Sequence, residues 1–368
     1  MDDPKRILIV RPSALGDVCR TVGVLVSLRK AYPEARIDWV VQEEFSAAIR
    51  SHPALDGTIE FPRVRMGHWW RSPARAREVL HWLRELRQGG YDLVFDLQGL
   101  GRSGMMTWVT GASRRVGRRW ARELGWLGYN VRHSWPTDRH TVEQMMSLLV
   151  AEGIAPIYDL TLYVAQEHRR WWASQPQARG AYAVLAPTSR WPSKRWPAAN
   201  FSALIGPLLE RGFDRVIMIG SPREVDQTRG IAPADGKARA ALVDLVGRTS
   251  LGQTMAVIAG AELVIANDSA PLHMAVGFAR PCLGLYGPTD PARVGPYGHR
   301  EAVLRGFSPA PGQSVNYRDR RLGDSLMRLI RPGAVLERVD RILSGHLGPA
   351  DDDGRAHETS DAVQGAAR

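Results

Sequence analysis

Short apolar runs alternate with stretches of helical periodicity along nearly the whole chain, and this constrains the fold more than any other feature. Buried parallel strands joined by crossover helices are what such an alternation builds. In the first half, strands are expected at Arg6–Val10, Ile37–Val41, Gly57–Phe61 and Leu93–Leu97. Between the first two, Asp17–Lys30 sets Val18, Val22, Leu25, Val26 and Leu28 on a helical face that closes at Tyr32-Pro33. Pro73–Gln88 reads as a basic amphipathic helix behind His68-Trp69-Trp70-Arg71, with Val79, Leu80, Leu83 and Leu86 along one side. A second series follows, with strands at Tyr182–Ala186, Arg215–Ile219, Leu242–Leu245, Leu263–Ala266 and Cys282–Tyr286. Its helices fit Pro197–Arg211, Leu251–Ala259, Pro271–Val276 and Pro332–Leu343.

At 368 residues the chain suits two α/β domains. The boundaries read as a first domain over 1–165, a polar linker over 166–180, a second domain over 181–346 and a disordered tail over 347–368. Two cysteines, Cys19 and Cys282, fall in different domains, so neither a disulfide framework nor a cysteine zinc site is expected. No apolar run approaches a membrane span, and Met1–Arg6 lacks a signal-peptide core. A cytoplasmic protein is expected.

The net charge is +11, yet residues 351–368 hold five acids against two arginines, so the other 350 residues carry +14. A body that basic favours polyanionic partners: nucleic acid, anionic lipid head groups or phosphorylated substrates. A merely solubilising surface accounts for the charge equally well.

The loop Arg11-Pro12-Ser13-Ala14-Leu15-Gly16-Asp17 follows the apolar run Ile7–Val10 directly. It brings a glycine and one carboxylate to the end of a strand, where open α/β sheets bind ligands. It lacks G-x-G-x-x-G spacing and G-K-[ST], so it is neither a dinucleotide fingerprint nor a P-loop. Asp17, beside Ser13 and Arg11, is a candidate base; as a helix cap it needs no ligand at all.

Four stretches of the second half lie where strands end and helices begin. Pro187-Thr188-Ser189-Arg190, followed by Ser193-Lys194-Arg195-Trp196, offers hydroxyls and cations suited to a diphosphate. Gly220–Glu224 supplies a carboxylate for ribose hydroxyls or for a helix's first turn. Asn267-Asp268-Ser269-Ala270-Pro271-Leu272-His273 opens a helix whose free N–H groups attract anions, with Asp268 as cap or ribose ligand. His273 by itself reads equally as a structural histidine. Tyr286-Gly287-Pro288-Thr289-Asp290, continuing to Gly295–Gly298, is a rigid Gly/Pro loop suited to line a pocket.

Taken with Ser13–Asp17 and with Tyr91-Asp92-Leu93-Val94-Phe95-Asp96-Leu97-Gln98-Gly99, the third and fourth stretches resemble glycosyltransferase family nine. These are the ADP-heptose:lipopolysaccharide heptosyltransferases, and the resemblance runs from about Arg6 to Leu343. It implies a GT-B fold, two Rossmann-like domains with parallel sheets facing across a cleft. It implies an inverting, metal-independent transfer of heptose from ADP-heptose to an acidic inner-core acceptor, Kdo or a previous heptose. Matched by position, Asp17 falls on the family's base, and Thr188, Ser189 and Lys194 on its diphosphate contacts. Glu224 falls on the ribose contact, and Asp268, Ser269 and His273 on the nucleotide loop. Acceptor contacts are expected from Arg11, Ser13, Gln98, Arg115 and Arg118. No metal ligand and no cofactor beyond the nucleotide-sugar donor are expected. The implied acceptor is an anionic glycolipid, met by peripheral contact with the cytoplasmic membrane face. Trp69-Trp70-Arg71 and Arg75–Arg87 read either as a segment resting on the lipid interface or as solvated helix faces. No nucleic-acid partner is expected.

The sequence departs from the family pattern at Ser269-Ala270, where Thr-Gly is usual. Its basic loop is longer by one residue through Trp191-Pro192, and cysteines are missing around Ser325-Leu326-Met327. Two rivals remain at this level. One is a GT-B enzyme with another donor, including a nucleotide-sugar epimerase. The other is a non-catalytic polyanion-binding protein, although the chain has no zinc-finger, RNP or basic-zipper signature.

Overall fold

The computed structural model describes residues 3–307, 316 and 318–345. The expected tail over 347–368 lies outside the described residues. The first half runs β1 (Arg6–Val10), α1 (Leu15–Ala31), β2 (Arg36–Gln42), β3 (Gly57–Phe61) and α2 (Pro73–Gln88). It continues with β4 (Leu93–Asp96), α3 (Gly101–Thr110), β5 (Arg114–Arg118), β6 (Val131–His133) and α4 (Thr141–Ala151). Its six strands form one parallel sheet in the order β3-β2-β1-β4-β5-β6.

The second half opens with α5 (Gln166–Ser174), β7 (Tyr182–Ala186), α6 (Ala198–Glu210), β8 (Arg215–Met218), α7 (Gly236–Ala241) and β9 (Leu242–Asp244). Then come α8 (Leu251–Ala259), β10 (Leu263–Asn267), α9 (Ala270–Gly277), β11 (Cys282–Tyr286) and α10 (Pro291–Val294). β12 (Val303–Arg305), α11 (Arg320–Arg328) and α12 (Pro332–Leu343) complete it. This sheet, also parallel, reads β12-β11-β10-β7-β8-β9, the same winding as the first. In each, the strand order reverses beside the first strand, so the crevices lie outside β1/β4 and β7/β10.

Strand alternation decides what each face buries. Ile7 and Ile9 meet Val18, Val22 and Leu25 of α1, whereas Leu8 and Val10 meet Trp82 and Leu86 of α2 and Met106 of α3. The first of these clusters does not stop at the domain edge. It continues through Ala275 of α9 and Val257 of α8 to Val184 and Ala186 of β7. α1 packs on α9, and the short 3-10 turn Glu43–Ala48 packs on α8. The two domains therefore share buried apolar surface on the α1/α4 side of the first sheet, and α2 and α3 lie on the other side.

The expected linker over 166–180 is a helix for half its length. α5 packs on α8, Trp172 is buried, and its Nε1 donates to the Tyr182 hydroxyl at 2.8 Å. Polar periodicity concealed a helix whose two tryptophans carry the packing. The crossing between domains is instead made by the extended chain between α4 and α5, which gives the Leu162 N–H to the Gly277 carbonyl at 2.8 Å. No described helix is long and apolar enough to cross a membrane.

Candidate active site

β1 delivers the chain to the crevice at Val10, and α1 starts five residues later at Leu15, so Asp17 stands in the first helical turn. There it accepts from the Ala14 N–H at 3.3 Å and so serves in part as a cap. Two guanidiniums hold it as well: Arg11 Nη2 at 3.1 Å and Arg20 Nη2 at 2.5 Å. Burial by itself would raise this carboxyl, but Arg11 and Arg20 outweigh it and hold Asp17 well below the usual carboxylate range. Arg11 also donates to the Leu97 carbonyl, and its own carbonyl accepts from Trp39 Nε1 at 3.3 Å.

The neighbouring loop after β4 is shaped by Asp96. This fully buried carboxylate accepts from the Tyr129 hydroxyl at 2.6 Å and from the N–H groups of Gln98 and Gly99 at 2.8 and 3.1 Å. Burial pushes its carboxyl up against those hydrogen bonds. Gly99 turns the chain at φ +68°, a conformation that suits glycine. Gln98 Oε1 accepts from the Ser13 N–H at 3.2 Å, joining the loops after β1 and β4. Pro12, Ser13, Gln42, Gln98, Arg102 and Ser103 line a small recess there.

On the second domain, the loops after β7 and β10 are joined by a buried side chain. Asn267 Nδ2 donates to the Pro187 carbonyl at 2.6 Å, and its Oδ1 accepts from the Trp196 N–H at 3.1 Å. Thr188 and Ser189 are buried, and the Ser189 N–H donates to Gln227 Oε1 at 3.1 Å. Lys194 Nζ lies 2.6 Å from Asp268 Oδ2, both side chains being largely covered. Ser269 stands at the start of α9 with its hydroxyl on the Asn267 carbonyl at 3.1 Å. Glu224 accepts from the N–H and hydroxyl of Ser221 at 2.9 and 2.7 Å, closing its own turn.

The two halves of the site meet at Gly16. A Cβ there would stand 2.8 Å from His273 Cδ2 and 3.6 Å from Ala270 Cα, so only a glycine lets α1 approach α9 this closely. His273 is buried in that contact. Burial first, then the Arg20 charge, keep its imidazole neutral, well below the usual histidine range, although Asp17 pulls the other way. His140 and Lys194 act on the same ring, which places charges of both domains around one seam.

Arg11, Ser13, Asp17 and Gln98 are thus brought together, facing the loop that carries Asp268, Ser269 and His273. Arg118 reaches the rim at the end of β5, its guanidinium 5.0 Å from the Trp135 ring centre. Arg115 does not. It sits near the start of β5 and donates to the Gly128 and Ala112 carbonyls at 3.0 and 2.5 Å, bracing the strand at the far end from the crevice. Sequence reasoning missed Arg20, Asp96, Asn267 and Gln227. Arg20 carried a signal in its spacing, one helical turn beyond Asp17, and Asp96 and Asn267 lay inside quoted motifs without a role being read for them.

Residues 79–320 match the family model described as glycosyltransferase family 9 (heptosyltransferase). Lipopolysaccharide heptosyltransferase 1 of Escherichia coli O18:K1:H7 is 30% identical over 315 residues, spanning 84% of this chain and 93% of its own length. The chain belongs to glycosyltransferase family 9. Lipopolysaccharide heptosyltransferase 1 of Pseudomonas aeruginosa is likewise 30% identical to this family 9 glycosyltransferase, with coverages of 81% and 83%. Among solved structures, the E. coli heptosyltransferase WaaC with ADP-2-deoxy-2-fluoro heptose matches it with a TM-score of 0.72 at 27% identity, covering 91% of this chain and 99% of that one. The E. coli ADP-heptose lipopolysaccharide heptosyltransferase II shares the fold, with a TM-score of 0.74 at 22% identity and coverages of 93% and 100%. The two like-wound sheets of this family 9 member are the GT-B architecture expected from its sequence.

Proposed function

We propose that this enzyme transfers a heptose from ADP-heptose to an acidic, lipid-anchored sugar of the lipopolysaccharide inner core, with inversion and without a metal ion. The observation that carries the reading is the carboxylate of Asp17 at the mouth of α1, set against the loop that opens α9. A base on one domain thereby faces an anion-binding helix start on the other.

The acceptor hydroxyl attacks the anomeric carbon from the face opposite ADP, and Asp17 takes its proton. Arg11 and Arg20 keep Asp17 ionised, hence able to accept, at the cost of basicity. A weak base suffices, because the hydroxyl proton becomes acidic only as the new bond forms. Departing ADP needs its growing charge neutralised, and we assign that role to Lys194, Ser269, Thr188, Ser189 and the N–H groups opening α9. Glu224 and Asp268 serve the ribose once their present partners, Ser221 and Lys194, share them with the ligand.

An anionic acceptor accounts for Arg102 in the recess lining and for Arg118 at the end of β5. Arg102 is pulled below the usual arginine range by burial and by the neighbouring charge of Arg63, and Arg118 by burial and Arg122. Crowded guanidiniums are relieved by an anion between them. We assign this recess, with Arg11, Ser13, Gln98, Arg102 and Arg118, to the acid groups of the acceptor. The exposed Trp69, Trp70, Trp108 and Trp120, on or beside α2, α3 and β5, suit contact with the cytoplasmic membrane face. A nucleotide-sugar epimerase would need no acceptor site.

The test is Asp17→Asn, assayed with ADP-heptose and a lipid A–Kdo acceptor. ADP binding by calorimetry is expected to persist while turnover drops ~10²-fold or more, the usual cost of losing a general base. Near-normal turnover would remove Asp17 from the role.

A further inference from the structure

Arg20 is 7% exposed, and its guanidinium reaches in two directions. Nη2 donates to Asp17 Oδ1, while Nη1 donates to the Val294 carbonyl of the second domain at 2.9 Å. The residues flanking Val294 are held in the same way. Thr141 Oγ1 donates to the Arg293 carbonyl at 3.0 Å, and His140 Nε2 lies 3.1 Å from the Gly295 carbonyl. His140 Nδ1 accepts from the Val142 N–H, which leaves the proton on Nε2 and makes that ring a donor. Three successive carbonyls at the end of α10 are therefore gripped by side chains of the first domain. Only one of the three donors, Arg20, also touches the proposed base.

We infer that Arg20 is a positioning residue that ties Asp17 to the docking of the α10 end. Its guanidinium then holds the carboxylate in place only while the two domains are in contact. The inference rests on the reading of Asp17 as the base. The charged and titratable groups around this pair are Arg11 from the end of β1, Cys19 beside them on α1, His140 from the start of α4, His273 from α9 and Tyr286 from the end of β11, with Lys194 acting on His273 and Asp268 on Tyr286. Were the α10 end to leave, Nη1 would lose its carbonyl and the guanidinium would gain water. Arg20 Nε already lacks a partner, so the side chain's hold depends on its two Nη contacts. Asp17 would keep Arg11 and its own helix turn, but would lose the contact that aims it across the seam.

The experiment compares Arg20→Gln and Arg20→Lys with wild type in three measurements: kcat and KM against pH, ADP affinity by calorimetry, and radius of gyration with ADP by small-angle X-ray scattering. For Arg20→Gln we expect kcat to fall about tenfold or more, toward the lower bound of a lost base, with ADP affinity little changed. Its acid limb in kcat should rise toward the ordinary carboxylate range, because removing a cation raises the pKa of the acid it faced. Its radius of gyration should exceed that of wild type. Arg20→Lys keeps the charge but carries its donors on one nitrogen, which cannot occupy both Nη positions, so its acid limb should stay low while its radius grows; it also serves if the glutamine variant fails to fold. Wild-type kcat and acid limb in both variants overturn the inference, and so does an unchanged radius in both. Wild-type-like Arg20→Gln beside an inactive Asp17→Asn overturns the coupling alone. An active Asp17→Asn overturns the base reading and the coupling with it.

Discussion

Lys194 illustrates how a residue's charge is modified by its setting. A lysine in a loop before a helix suggests a point charge for phosphate. Here its ammonium is 2.6 Å from Asp268, so a bound diphosphate meets the pair and not a bare cation. Removing Lys194 then does two things: it deletes a donor and exposes the Asp268 carboxylate to the anion. Lys194→Ala is expected to weaken ADP binding more than Lys194→Ala/Asp268→Asn does, since the second change removes the repulsion. Calorimetry with ADP decides it. Equal affinities for the two variants would mean that Asp268 does not feel the diphosphate, and an unchanged affinity for Lys194→Ala would remove the lysine from the site.

At the scale of elements, the site depends on how closely α1 and α9 approach, and Gly16 sets that distance. A methyl there would have to displace the His273 ring or Ala270 backbone. Gly16→Ala is expected to destabilise the protein by about 1–3 kcal/mol, the usual cost of overpacking, and to lower kcat by widening the seam. Equilibrium denaturation and steady-state kinetics check both; a variant as stable and active as wild type would show that the contact is slack. The glycine's place in Ser13–Asp17 was legible in the sequence, but its partner was not, because no local pattern announces a contact between residues 16 and 273. The same holds more widely. Strands buried on both faces, such as β1, β7 and β11, were legible to the residue because a parallel core strand is a continuous apolar run. β5 was not, because it reads Arg114-Arg115-Val116-Gly117-Arg118, with a single large apolar side chain buried. β6 and β12, at three residues each, are too short to leave a period. Helices α3, α4 and α11 were also passed over, and α5 was taken for a linker. Buried tie residues such as Asn267 and Asp96 lay in legible motifs, yet their tasks appear only when the loops they join are side by side.

For the whole molecule, the distribution of charge and apolar surface is lopsided. Residues 62–128 contain 13 arginines against five acids, most of the chain's net +11. The same stretch exposes Trp69, Trp70, Trp108 and Trp120, the last at 73%, with Leu124 and Leu127 beside it. α2 packs on both α3 and the Trp69–Arg71 turn, and α3 packs on the Gly125–Gly128 turn, so these side chains belong to adjoining elements. They belong to the side of the first sheet opposite the one that meets the second domain. Aromatic residues with apolar bodies and polar tips, interspersed with arginine, suit the head-group layer of an anionic bilayer. Each arginine near such a surface is worth about 1 kcal/mol, and the attraction is screened by salt. Co-sedimentation with phosphatidylglycerol-containing vesicles is therefore expected to be strong at low ionic strength and to weaken as salt rises. Trp108→Ser/Trp120→Ser should reduce it further while leaving ADP affinity as in wild type, because neither tryptophan touches the donor loops. Binding indifferent to anionic lipid content would rule out this electrostatic part of the docking, and binding indifferent to the two tryptophans would rule out the insertion.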